Sequence, residues 1–391
     1  MSLFDTTLKR EGTCCVKWDQ RKSTFGTDDV LPMSIADMDF LSPTCVGEAL
    51  CERAKYVEFG YNNHKELVDA ALIRWMKERH QYEVEAEEIY DLPGVVIGIV
   101  LSLLAFTKEG DKVLIQSPVY PPFFTAIKKA GRKVVENLLL CEDGKYFMDM
   151  EDLEKKLADP EVKMMILCSP HNPVGRVWTK EELTKVGELC MQHDVLLVVD
   201  EIHADIVFSG HEHTVFNTIS EELANRTIVL TSAGKFFNIS GLNLGFAIIH
   251  NPVLRKQFFE KMDMMHLGRA NIMGAVATEA AYTHGAAYLD ELLSYLEENR
   301  NRLVEAIAAI PKLSMVSPEG TYLGWIDFSE LVQTEDELKK FLVKDAKLGL
   351  NFGSPYGEVG TLFARINFAV SKECLEEAIR RLEKAVMERL G

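Results

Sequence analysis

The sequence predicts an α/β protein: a large domain on a mostly parallel central sheet, joined to a smaller α+β domain. Three observations predict it. Short runs apolar on both faces recur, among them Met164–Cys168 and Leu196–Asp200. Helical patterns such as Lys180–His193 separate them. Strands of that kind need cover on both sides, which crossover helices supply in parallel sheets. Beyond about Ala287 the pattern changes to a long charged helix, two strand-like pieces and a last helix. The expected division is an N-terminal segment over 1–44 that packs with the small domain, a large domain over 45–285 and a small domain over 286–391.

Residues 1 to about 40 read as irregular, with a strand-like Leu31–Ile35 leading into Ala36-Asp37-Met38-Asp39-Phe40. A helix is expected after Ser42-Pro43, with Ser42 as cap and Pro43 in the first turn. Gly60-Tyr61-Asn62-Asn63 reads as a turn. Lys65–His80 is amphipathic, with Leu67, Ala70, Leu72 and Trp75 assigned to one face. Strands follow at Val113–Gln116, Lys133–Glu136, Met164–Cys168, Leu196–Asp200, Ile228–Leu230 and Phe246–Ile249. In the last third, Tyr288–Ile310 reads as a helix ended by Pro311. Tyr322–Asp327 and Ala364–Phe368 read as strands, and Lys372–Leu390 as a closing helix.

Composition narrows the function classes. The 391 residues are 47% hydrophobic, enough for a sizeable core, and carry a formal net charge of −17. Such a surface repels polyanions, which argues against nucleic acid and anionic membranes as partners. The eight cysteines are scattered without repeated CxxC spacing, so neither a disulfide framework nor a metal site is expected. The N-terminal stretch has no signal-like apolar region. The apolar run Gly94–Phe106 is shorter than the roughly 20 residues of a bilayer span. The expectation is a soluble cytoplasmic protein.

Ligands of open α/β sheets bind at the carboxyl ends of strands, so polar residues that end apolar runs are candidates. Lys235 follows the run Thr227–Leu230 among small and apolar residues, and a desolvated amine there becomes a nucleophile toward carbonyls; an ordinary surface lysine in a loop is the alternative. Ser232, three residues earlier, can offer a hydroxyl to a phosphate. Gly94, Val95 and Val96 open a helix, where backbone N–H groups bind anions; a plain helix-starting turn is the commoner alternative. Tyr120, held by flanking prolines, can stack on a flat ring; a core tyrosine is the plainer alternative. Asn172, in Ser169-Pro170-His171-Asn172-Pro173, can donate to a phenolate oxygen. Asp200 ends the most apolar strand, and its carboxylate needs a partner such as a protonated pyridine nitrogen; a helix N-cap is the alternative. Arg365, inside an apolar strand, needs a carboxylate, either a substrate's or that of a structural salt bridge. Together these residues describe a flat, phosphorylated, pyridine-type cofactor and a substrate carboxylate.

The order of Gly94-Val95-Val96, Tyr120, Ser169–Pro173, Asp200 with His203, Ser232 with Lys235, and Arg365-Ile366-Asn367 resembles the fold-type I enzymes of pyridoxal 5′-phosphate (PLP), the class I/II aminotransferase superfamily. Within it, the strings Ile35–Phe40, Gly60-Tyr61, Pro118–Phe123 and Asp200–Asp205 resemble the cystathionine β-lyase (C–S lyase) branch of the MalY/PatB type. The resemblance implies an aspartate aminotransferase-like fold and PLP held on Lys235, with Asp200 on the ring nitrogen. It implies Asn172 on the ring oxygen, Tyr120 stacked on the ring, and Gly94, Val95, Val96 and Ser232 on the phosphate. It further implies Arg365 on the substrate carboxylate, with Ala36 and Asp37 near the substrate. Tyr61 would reach the phosphate of a neighbouring subunit, so a homodimer with shared sites is implied. Two departures stand out. Many aminotransferases of the superfamily have a tyrosine where this chain has His203, and an arginine where it has Asn243.

The expected activity is elimination of a thiol from L-cystathionine or a related cysteine S-conjugate, giving pyruvate and ammonia. An aminotransferase acting on an amino acid and a 2-oxo acid is the first alternative. A PLP-binding regulatory protein acting by protein–protein contact is the second.

Overall fold

The computed structural model describes residues 3–391. Strand β1 is Leu31–Pro32. Eight strands form the large sheet: β2 (Ile89–Leu92), β3 (Lys112–Ser117), β4 (Lys133–Glu142), β5 (Lys145–Met148), β6 (Val162–Cys168), β7 (Leu196–Asp200), β8 (Thr227–Thr231) and β9 (Gly245–Ile248). The rest are β10 (Ser314–Met315), β11 (Leu323–Asp327), β12 (Leu348–Gly349), β13 (Asn351–Phe352) and β14 (Phe363–Asn367).

The large sheet has the order β2-β9-β8-β7-β6-β3-β4-β5. Its five central strands, β4, β3, β6, β7 and β8, pair in parallel, as the sequence predicts. Strand β9 runs antiparallel between β8 and β2, and β5 runs antiparallel at the other edge. Strand β2 escapes the pattern because Tyr90 and Asp91 interrupt its apolarity. Strand β5 is a four-residue hairpin arm returned by Asp143 and Gly144, both at positive φ. The parallel strands are buried on both faces: Leu197 and Val199 enter one core, Val198 the other. Helix Val95–Phe106 has no charged residue and packs into the second core through Ile99 and Leu103. Among the described residues no helix is long and apolar enough to cross a membrane.

The small sheet is antiparallel, in the order β10-β11-β14-β13. The N-terminal segment packs beside it: β1 and β12 form a separate parallel two-stranded sheet, and Asn367 N–H on β14 donates to Met33 O at 2.8 Å. Helices Ala286–Ala309 and Lys372–Leu390 contribute Leu296, Leu303, Leu375 and Leu382 to the same core.

Three expectations are corrected. Only Leu31–Pro32 of the strand-like Leu31–Ile35 is a strand. Ser42 caps no helix; the helix is Thr44–Lys55, and the Ser42 hydroxyl donates to Asn238 O at 3.0 Å. Helix Lys65–His80 has the expected bounds, but Leu67 and Ala70 face outward. Its buried side is Val68, Ala71, Leu72, Trp75 and Met76, a full 3.6-period stripe.

Candidate active site

Strands β3, β6, β7 and β8 end at one edge of the sheet, with Ser117, Cys168, Asp200 and Thr231 as their last residues. Beyond that edge lies a cleft of about 300 Å³. Its lining brings together Ala36, Gly94, Val95, Val96, Tyr120, Asn172, Asp200, His203, Ser232 and Lys235. Residues from six separate stretches of the chain thus converge, most of them because parallel strands deliver their C-terminal ends to one side.

Lys235 lies in the turn after β8, and its Nζ donates to Ala36 O at 2.6 Å. Burial and the nearby Arg365 charge pull its pKa down to about 8, while Asp37 and Asp200 act the other way. An amine so placed is neutral in a useful fraction near neutral pH. Asp200 is buried at the end of β7, and burial pushes its pKa up to about 7, against the bond that Ile202 N–H donates at 3.1 Å. No regular helix begins at Asp200, so the N-cap alternative falls. Its environment favours a cationic N–H as partner.

His203 is buried, and its Nδ1 has no hydrogen-bond partner among the described residues. Burial, then the charges of Lys235 and Arg365, hold its pKa well below the ordinary histidine value, so the ring is neutral. Burial raises the Tyr120 phenol to about 12, with the Asp200 charge in the same direction. That hydroxyl therefore stays protonated at neutral pH and can donate.

Arg365 stands behind Asn172 rather than in the cleft lining. Its Nη1 donates to Asn172 Oδ1 at 3.0 Å, and its Nη2 to Ser34 O at 2.9 Å and Asn351 Oδ1 at 2.8 Å. Its buried Nε has no partner. No carboxylate among the described residues pairs with it, so the structural salt bridge is absent. With Oδ1 accepting from Arg365, the amide N–H groups remain as the donors of the Asn172 side chain.

At the mouth, Gly94 takes φ 134° as the residue before helix Val95–Phe106, and a Cβ there would meet open space. The first N–H groups of that helix lack intrahelical acceptors and face the cleft. This is a cradle for an anion. The Ser232 hydroxyl donates to Leu244 O at 2.6 Å and accepts from Gly234 N–H at 3.0 Å. It must leave Leu244 to serve a phosphate. Asn243 lines the cleft but brings no charge. Ser240, five residues after Lys235 and not singled out from sequence, lines it too.

Two predicted residues lie elsewhere. The Asp37 carboxylate points away into ion pairs with Arg10 at 2.8 Å and Lys17 at 3.0 Å. Tyr61 is 95% exposed on this chain, under the Arg269 guanidinium at 5.2 Å from its ring centre.

The residue set fits PLP: an orphaned ring nitrogen on His203, a protonatable carboxyl at the cleft floor, a softened lysine and an open helix N-terminus. The chain is similar over its length to characterised proteins. Cystathionine beta-lyase PatB of Bacillus subtilis is 41% identical, covering 98% of this chain and 99% of that protein. Protein MalY of Escherichia coli is 34% identical over 98% of both. Cystalysin from Treponema denticola, solved with pyridoxal 5′-phosphate, matches with TM-score 0.95 at 36% identity, covering 98% of each chain. A PLP-bound C–S lyase from Staphylococcus hominis matches with TM-score 0.91 at 31% identity, covering 99% of this chain and all of that one. The family model for aminotransferase class I and II matches residues 28–382, and the chain therefore belongs to the aminotransferase class I and II family.

Proposed function

We propose that the protein is a PLP-dependent C–S lyase that eliminates a thiol from L-cystathionine or related cysteine S-conjugates. The observation that carries the reading is the convergence of Lys235, Asp200, Asn172 and His203 on one cleft beneath the Gly94 helix N-terminus. The names of the relatives supply the reaction class.

When bound, PLP acts as an electron sink for charge developing at the substrate Cα. Lys235 would hold the cofactor at rest, and its free amine is the group that takes the substrate Cα proton on Nζ. Asp200 would hold the ring N–H as a carboxylate, Asn172 and His203 would serve the ring oxygen, and Tyr120 would cover the ring face. Val95 and Val96 N–H groups would bind the phosphate, with Ser232 beside them. Arg365 offers its free Nε–H to the substrate carboxylate and holds Asn172 in register. The Cβ–S bond then breaks, and sulfur leaves with the bonding electron pair and takes up the proton held on Lys235 Nζ. The remaining three-carbon fragment takes up water and leaves as pyruvate and ammonia.

The exposed Tyr61 completes the phosphate site of a second copy in a homodimer; exposure on a single chain is what such a role requires. The surrounding surface supports this, since Tyr56, Val57, Phe59 and Leu67 are exposed beside it. The −17 charge supports a small-molecule substrate over a nucleic acid.

A substrate panel tests the reading. L-Cystathionine should yield pyruvate, followed through lactate dehydrogenase, and homocysteine, followed with a thiol reagent. Rapid aspartate or alanine transamination with little thiol release would overturn it in favour of an aminotransferase.

A further inference from the structure

Outside the cleft, a cluster of charge ties the N-terminal segment together. Lys17 has a side chain with no exposed surface, and it pairs with Asp37 Oδ1 at 3.0 Å and Asp39 Oδ1 at 3.2 Å. Its Nζ also donates to Asp37 O at 3.0 Å. Arg10 grips the same two carboxylates, at 2.8 Å and 2.5 Å. Trp18 Nε1 donates to Asp39 Oδ1 at 3.3 Å. Two cations and an indole thus converge on Asp37 and Asp39, and a buried lysine persists only where such partners hold it.

The segment they grip carries the acceptor of the site lysine. Ala36, one residue before Asp37, presents its carbonyl oxygen to Lys235 Nζ at 2.6 Å and to the Tyr322 hydroxyl at 3.0 Å. The same segment is tied to the Lys235 loop by Asn238, whose Nδ2 donates to Met38 O and Phe40 O at 3.0 and 2.8 Å. It is tied to the small sheet by Asn367, which donates to Ile35 O and Asp37 O at 2.7 and 2.6 Å. Those two ties grip backbone from inside. Arg10 and Lys17 supply the ion pairs from outside.

We propose that Arg10 and Lys17 are positioning residues for Lys235: by clamping Asp37 and Asp39 they fix the Ala36 carbonyl that holds the lysine amine. The inference rests on the reading of Lys235 as the proton-moving amine. Each time the substrate frees that amine, the Ala36 oxygen receives it at the place from which the Cα proton is taken. Loosening the clamp leaves the amine present but misplaced, and a misplacement of about 1 Å costs on the order of 100-fold in rate.

The test compares Lys17→Met with Lys17→Arg in the full chain. In Lys17→Met, kcat on L-cystathionine should fall about 10- to 100-fold with KM within about twofold. The isotope effect from deuterium at the substrate Cα should rise, because proton removal becomes limiting. A merely structural role lowers the number of working molecules and leaves that isotope effect alone. In the cofactor-free chain at about pH 10, where Lys235 is neutral, trace acetylation mapped by mass spectrometry should label Lys235 at least about threefold faster in Lys17→Met. Lys17→Arg should restore all three readouts. If Lys17→Met does not fold, Arg10→Gln, at a side chain 22% exposed, carries the same readouts. An unchanged isotope effect together with unchanged Lys235 labelling would overturn the proposal. Borohydride label on another lysine would remove the role of Lys235 itself, and the inference with it, on separate grounds.

Discussion

Arg365 Nη1 donates to Asn172 Oδ1 at 3.0 Å, so one arginine sets the amide that faces the cleft. The residue proposed to bind substrate thereby orients a residue proposed to bind cofactor. Arg365→Ala should raise KM on L-cystathionine by about 10- to 150-fold, from a charge-assisted contact of about 1.5–3 kcal/mol. It should also weaken PLP retention, measured by dialysis and absorbance. The double variant with Asn172→Ala should lose less than the sum of the two, since they share one interaction. Strict additivity would show that the two residues act independently.

Lys235 is expected to take the covalent label when the PLP-loaded chain is reduced with borohydride and its peptides are mapped. Lys235→Ala should lose turnover by orders of magnitude, about 10²–10⁴ for the general-base role alone. Turnover near the parent level would end the assignment.

Asp200 gives a pH signature in the cofactor-free chain. Its folded pKa, about 7, lies above its ordinary value of 3.8. Between those values the native state keeps a proton that the unfolded state has lost. Stability from this group is present at low pH and falls as pH rises toward 7. Asp200→Asn should remove that part of the slope in denaturant titrations compared with the parent, and should abolish most activity in the loaded enzyme. A parallel pH–stability curve, or full activity, would show that Asp200 neither titrates late nor serves the ring nitrogen.

Tyr61 is tested by complementation. Lys235→Ala chains are co-expressed with Tyr61→Phe chains. If sites are shared across a dimer, each hybrid has one site with both changes and one with neither, and activity partly returns. No recovery in verified hybrids would place Tyr61 outside the partner's site.

The sequence made the cleft floor legible because its residues are discordant with their surroundings. Asp200, Asn172 and Lys235 are polar groups at the ends of apolar strands, and only a ligand or a cap accounts for them. Helix Lys65–His80 was legible in extent but not in rotation: Leu67 and Ala70 are as apolar as Val68 and Ala71, and only packing chooses between adjacent stripes. Tyr61 was readable through family likeness alone, since an exposed tyrosine in a turn carries no signal of its own. Lys17 gave no signal either. A lysine beside Trp18 and Asp19 in an irregular stretch reads as surface, and its burial depends on carboxylates about 20 residues further along. Asp37 shows the same limit, because its carboxylate was assigned toward the cleft and serves the clamp instead.

The strand order has a consequence for assembly during synthesis. Strand β2 leads into Gly94 and the helix whose N-terminus forms the anion cradle, yet its sheet partner is β9, with Leu92 opposite Gly245. A ribosome must emit roughly 150 further residues before β2 has a partner, and loop closure over that span is slow. The nascent chain therefore carries an unfinished cradle until β9 emerges. Lys235 leaves the ribosome ahead of β9. Both the lysine and the strand that seats the cradle are therefore in place only once the chain has been made as far as Ile248.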